Sequence, residues 1–179
     1  MIGFCPGFGG TEIWDMENPE APMPIARALL PFEFLPHTTA VSSDGKVLAI
    51  SDEAVAGHAC NDRSAAGAIW FYDITDLEAP QLRGYIGPPR GTLPVGATSG
   101  NQFSCTAHNF NFIPGTRLLV AAWINGGTNV IDATDPAAPR EVAYYQPDDA
   151  ITMSSYWYRG LIFTGDFGRG VDVLRLNLP

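Results

Sequence analysis

Apolar and polar positions recur along this chain in a fixed order. Three stretches carry a short β-branched or aromatic run that ends in aspartate: "TEIWD" closing at Asp15, "AIWFYD" at Asp73 and "TNVID" at Asp132. The three aspartates stand 58 and 59 residues apart. A turn residue follows each one (Asn18, Asp76 or Asp135), with a proline four positions further on (Pro22, Pro80 or Pro139). Asn and Asp side chains accept backbone N–H bonds in turns, and proline presets φ for a bend while being unable to donate within a sheet. A more polar stretch, "MPIAR", "QLRGY" or "REVAY", then resumes the extended pattern, so each copy predicts strand, turn, strand.

A second hairpin precedes the later copies. "HTTAVSSDGKVLAISDE" breaks at Asp44-Gly45, a favoured two-residue hairpin turn, and "AHNFNFIPGTRLLVAAW" breaks at Pro114-Gly115. "MSSYWYRGLIFTGDF" repeats the arrangement around Arg159-Gly160. Hairpin plus hairpin gives four antiparallel strands per unit, and a repeat of this length means stacked or radially arranged units. Lettered a to d outward from the axis, the strands read c-d, then a-b-c-d twice, then a-b-c: thirteen strands and no helix. The predicted fold class is all-β, a partial β-propeller of about three and a half four-stranded antiparallel blades, forming an open arc of a larger ring. One domain over 1–179 holds blade remnants at 9–30, blades at 36–87 and 103–146, and a three-stranded blade at 151–177. Rings usually need about 4–8 blades, so the pattern favours a chain missing upstream sequence over a half-ring that dimerises. Open blade edges favour self-association in either case.

Composition changes this picture little. Gly 19 and Pro 15 are spread along the chain, as many short strands joined by turns require. The longest apolar runs fall far below a membrane span, and the N-terminus has no signal-peptide pattern. With 19 acidic and 10 basic side chains the net charge is −9, and no basic cluster is present, which argues against a nucleic-acid partner. The three cysteines form no CxxC pair, excluding zinc-ribbon and thioredoxin-like readings.

"GGTNVIDATDPAAPREVAYY", "CTAHNFNFIPG" and "SSYWYRGLIFTGDFGRGVDVLRL" resemble the LVIVD-repeat proteins, bacterial and archaeal surface or secreted β-propellers. The resemblance covers nearly the whole chain. It implies a longer, exported propeller, extracellular or at the cell surface in its full-length form. Leu77 in place of the turn proline, and Arg175 where the last blade's aspartate is expected, depart from the repeat. The family carries no settled activity to transfer.

Propeller topology sorts the chemistry-bearing residues by face. The repeated Asp and Pro residues belong to c–d turns near the rim, where they close turns. The opposite face, bearing d–a and b–c connections, collects all three histidines, His37, His58 and His108. His37 and His108 begin innermost strands, while Asp52, Glu53 and Asp166 end b strands. Imidazole and carboxylate together suit a divalent metal such as zinc, manganese or iron. The alternative is that each histidine only satisfies a backbone carbonyl or a neighbouring carboxylate. His58, Tyr156 and Trp157 are candidate ligand contacts, although core packing explains most of the aromatic residues. Cys60 and Cys105 fall on the same face of adjacent blades, and the exported character implied by the resemblance favours a disulfide between them. Two buried thiols in a reducing compartment are the other reading, and Cys5 is left over.

No nucleophile elbow or phosphate-binding loop occurs, and no catalytic residue is assigned. The leading expectation is a binding or interaction module for an unknown protein or small molecule, using the face that bears loops 52–66 and 87–101. The alternative is a metal-dependent hydrolase or oxidase with a His/carboxylate site at the channel mouth.

Overall fold

In a computed structural model of the chain, residues 1–31, 35–53, 65–88 and 105–178 are described. Fourteen strands and no helix are found among them. The first blade is a three-stranded sheet of β1 (Ile2–Gly7), β2 (Gly10–Asp15) and β3 (Met23–Ala28). The second contains β4 (Pro36–Val41), β5 (Val47–Asp52), β6 (Ile69–Asp73) and β7 (Gln81–Ile86), hydrogen-bonded in chain order. The third contains β8 (Ala107–Phe112), β9 (Leu118–Trp123), β10 (Gly127–Asp132) and β11 (Arg140–Tyr145). β12 (Thr152–Tyr158), β13 (Leu161–Asp166) and β14 (Gly170–Leu174) form the fourth. Adjacent strands within each blade are antiparallel, and a lone parallel bridge, Ser154 to Asn109, joins the innermost strands of the third and fourth blades. The protein is a partial β-propeller.

β1 corrects the expected strand count of thirteen. Gly3, Pro6 and Gly7 read as loop in the sequence, yet this segment pairs with β2 from Ile2↔Asp15 to Gly7↔Gly10. β1 is an edge strand, where a proline without an N–H is tolerated. The first blade therefore begins at a b strand rather than a c strand.

The repeat closes turns in the same way each time. Asp15, Asp73 and Asp132 each accept the amide two residues on, from Glu17, Thr75 and Thr134 at 2.8, 2.9 and 2.9 Å. Asn18, Asp76 and Asp135 do the same for Glu20, Glu78 and Ala137. Each c–d ladder also carries a bulge at the same place, with Ile25, Arg83 or Val142 as the extra residue. The a–b turn after Tyr158 has positive φ at Arg159 (48°) and Gly160 (87°), the geometry of a primed turn that matches strand twist.

Blades pack face to face, so the core lies between sheets. Val47, Ala49, Ile69 and Phe71 of the second blade meet Phe110, Phe112, Leu119 and Trp123 of the third, and all eight are buried. Leu48, Ile50, Trp70 and Tyr72 line the second blade's other face, toward Ala28 and Phe4 of the first. Val120 and Val130 of the third blade meet Ile162, Trp157 and Leu174 of the fourth. Each fully buried Val, Leu, Ile or Phe contributes about 1.5–3 kcal/mol. Polar ties fix the blade spacing: Trp123 Nε1–H donates to Gly67 O at 3.1 Å, and the Thr128, Ser155 and Thr164 hydroxyls form a buried cluster between the third and fourth blades.

Candidate metal centre

His37 and His108 are both the second residue of an innermost strand, and both sit in a bulge. The β4/β5 ladder shifts register between Pro36 and Thr39, and the β8/β9 ladder shifts between Ala107 and Phe110. Two residues therefore oppose one at each site, His37 with Thr38 and His108 with Asn109. Bulges bend the strand and re-aim side chains, and here they turn two imidazoles toward one point. Thr38 N–H, displaced from the ladder, donates instead to Ser51 Oγ at 2.9 Å. β12 shifts register at the equivalent place, where it carries Met153.

Glu53, the first residue after β5, completes the group. One potential ligand atom from each of His37, Glu53 and His108 lies within 4.8 Å of the other two. His37 Nε2 is 3.6 Å from Glu53 Oε2, and His108 Nε2 is 3.8 Å from Glu53 Oε1. Both separations exceed hydrogen-bond reach. The two rings are tilted by 32° with centroids 4.5 Å apart.

The surrounding hydrogen bonds set the tautomers. His108 Nδ1 lies 2.6 Å from Met153 O, which can only accept, so Nδ1 carries a proton and the neutral ring keeps its lone pair on Nε2. Thr38 Oγ1 donates its hydrogen to Asn109 Oδ1 at 2.8 Å, so it accepts from His37 Nδ1–H at 3.1 Å. His37 Nε2 is thereby left bare as well. Burial pushes the His37 pKa below its ordinary 6.5, the Glu53 carboxylate opposes that, and His108 adds to it. With both rings neutral, two nitrogen lone pairs and a carboxylate face one another. A cation suits such an arrangement. Metal–ligand distances of about 2.0–2.2 Å put tetrahedral donor atoms about 3.4 Å apart. Against this stand 3.6 and 3.8 Å from each Nε2 to its own Glu53 oxygen and a limit of 4.8 Å for one atom from each residue, so the three side chains would draw together around an ion.

Asp52 and Asp166 do not join this group. Asp52 is fully buried, and its Oδ1 accepts Leu35 N–H at 2.8 Å. Asp166 Oδ2 accepts Ile151 N–H at 2.8 Å and the Thr152 hydroxyl at 3.2 Å, while Oδ1 accepts the Gly168 and Arg169 amides, each at 3.0 Å. The two aspartates occupy equivalent ladder positions, opposite Pro36 and Thr152, and each holds the backbone that leads into an innermost strand. Their recurrence in the repeat was the available signal for this structural role. Trp157 packs in the core between the third and fourth blades, and Tyr156 is 41% exposed on the other face of β12. His58 and Cys60 lie outside the described residues, as does most of both long loops, so the ligand contact at His58 and the Cys60–Cys105 pairing have no structural description. Cys105 is buried, and Cys5 is a free, exposed thiol. Sequence reasoning missed Met153 O, Thr38 and Asn109, the groups that orient the imidazoles.

The chain resembles solved WD40-type β-propellers in structure. It is similar to the WD40 repeats of RRP9 with a TM-score of 0.60 at 17% identity, over 93% of this chain and 42% of that one. Its similarity to the Cps50 (Swd1) β-propeller domain of Myceliophteria thermophila has a TM-score of 0.63 at 11% identity, over 97% and 50%. U3-55K gives 0.54 at 14% identity, over 93% and 45%. The chain thus spans about half the length of the propellers it matches. At these identities the likeness establishes the fold. No protein-family model and no curated protein matches the sequence.

Proposed function

We propose that this protein is a binding propeller centred on a divalent transition metal held by His37, Glu53 and His108. One observation carries the reading: one ligand atom from each of two imidazoles and a carboxylate lies within 4.8 Å of the other two, both Nε2 atoms are next to Glu53, and both Nδ1 protons are committed elsewhere. Two histidines and one carboxylate form a donor set for zinc, iron or manganese that leaves coordination positions open for a ligand. Loops 52–66 and 87–101, which the sequence pattern assigns to this face, would contact that ligand. The enzymatic reading, a metal-dependent hydrolase or oxidase, rests on the same open positions and requires turnover by the metal-loaded protein. The LVIVD-repeat resemblance and an extracellular or cell-surface setting belong to this proposal, supported by the repeat motifs. A Cys60–Cys105 disulfide belongs to it too, supported by that exported character and by the sequence pattern that assigns both cysteines to one face of adjacent blades.

The test is metal content after loading with Zn²⁺, Mn²⁺ or Fe²⁺ and removal of unbound ion. The whole chain should retain about one metal, and His37→Ala, His108→Ala and Glu53→Gln should each weaken retention at least about tenfold. Retention unchanged in both histidine variants would refute the assignment.

A further inference from the structure

Resting on the metal assignment above, we propose that Asn109 binds the ligand of that centre: its side-chain amide donates to a small organic carboxylate held on the metal. A metal on His37 Nε2 requires the neutral ring to carry its proton on Nδ1. The partner of Nδ1 is Thr38 Oγ1, 3.1 Å away, which must then accept. A hydroxyl has a single hydrogen, and Thr38 gives it to Asn109, at 2.8 Å. Within a side-chain amide only the oxygen accepts, so Oδ1 takes that hydrogen and both hydrogens of Nδ2 stay available. A metal at one end of this chain of bonds thereby fixes a donor at the other. Among the described residues nothing accepts from Nδ2, and Asn109 is half-buried.

Placement and charge agree. Asn109 shares the β8 bulge with His108, and its backbone is bridged to Ser154 of β12, so the amide is held beside the imidazoles. Two neutral imidazoles and one carboxylate leave a divalent ion with one unbalanced positive charge, which a monoanion offsets. Arg169, the described guanidinium at this end of the blades, is already paired with Asp149 and Asp172 at 3.0 and 3.2 Å. Asp148 and Asp149, in the connection from β11 to β12, are exposed, where solvent screens their charge. A carboxylate offers two oxygens, so one can ligate the ion while the other accepts from Nδ2–H. Hydrogen bonds to an ionised acceptor are the stronger kind.

The test uses the whole chain loaded with Co²⁺, whose visible bands report its ligands, titrated with acetate. The account predicts a saturable change in those bands. Asn109→Asp keeps an oxygen to accept from Thr38 and removes both donors, so Co²⁺ should be retained while acetate binds at least about tenfold more weakly. Asn111→Asp puts the same charge two residues along the same strand and keeps the acceptor for Trp157 N–H, and it should change acetate binding less than about threefold. Acetate that leaves the bands of the loaded protein unmoved overturns the proposal and spares the metal assignment. So does an Asn109→Asp variant that binds acetate as the parent does, or no more weakly than Asn111→Asp. A parent chain that fails to retain Co²⁺ overturns both.

Discussion

Asp166 separates a structural carboxylate from a metal ligand. Its two oxygens accept four hydrogen bonds, from Ile151 N, Thr152 Oγ1, Gly168 N and Arg169 N. Gly168 and Arg169 are exposed, so water can replace the carboxylate there. Thr152 is 1% exposed and Ile151 is half-buried, which leaves two donors with poor access to water once the acceptor is gone. A stranded buried donor costs about 1–3 kcal/mol, and bonds to a charged acceptor are the stronger kind, so Asp166→Ala should destabilise by about 3–5 kcal/mol. For a chain of this size that is a fall in Tm of about 6–20 °C. Asp166→Asn should recover less than half of it, because its amide group turns an N–H toward groups that are themselves donors. Calorimetric melting and metal analysis on the same samples provide the assay. The reasoning predicts a large loss of stability with metal retention intact in the folded variant. A shift in Tm below about 2 °C, or metal loss matching that of His37→Ala, would refute it.

Gly127 has φ +75°, and a Cβ there would lie 2.2 Å from Tyr145 O, whereas Gly115 has φ +76° and open space around it. Gly115→Ala should therefore cost only the backbone strain of about 1–2 kcal/mol, and Gly127→Ala distinctly more, as read from urea midpoints. The Ser42 hydroxyl, followed by the Arg117 guanidinium, holds the Asp44 carboxyl at about 2, below its ordinary 3.8. Its contribution is complete above 3.8 and is lost as pH falls through about 2, so tethering of the second blade's a–b turn to the third blade should weaken over that window. Ser42→Ala should raise the titration midpoint of Asp44 by NMR; an unmoved midpoint would remove that cause. Metal should stabilise the fold, because His37 and Glu53 belong to the second blade and His108 to the third. Free metal at about 100 times Kd contributes about 2.7 kcal/mol, or about 5–11 °C in Tm, and His108→Ala should abolish the shift.

Much of the fold was legible because turn chemistry repeats. Asp15, Asp73 and Asp132 mark equivalent turns by type and spacing, and the structure uses them identically. β1 was not legible, since Gly3, Pro6 and Gly7 have loop propensities and only pairing with β2 makes them a strand. For the candidate site, topology placed His37, His108 and the carboxylates on one face. Choosing between the adjacent Asp52 and Glu53 required their partners in the fold, because Asp52 Oδ1 is committed to Leu35 N–H whereas Glu53 stands beside both imidazoles. The convergence of the imidazoles depends on the bulges at His37–Thr38 and His108–Asn109, which composition does not signal. Met153 contributes through its backbone carbonyl, a group that no side-chain motif could report.

The central claim concerns which atoms hold the metal, and X-ray absorption fine structure of the protein loaded with one equivalent of Zn²⁺ reads them directly. The account predicts a first shell of nitrogen and oxygen at about 2.0–2.2 Å, with outer-shell scattering from two imidazoles that falls to one in His37→Ala. A sulfur shell at about 2.3 Å, or a first shell without imidazole scattering, would contradict it.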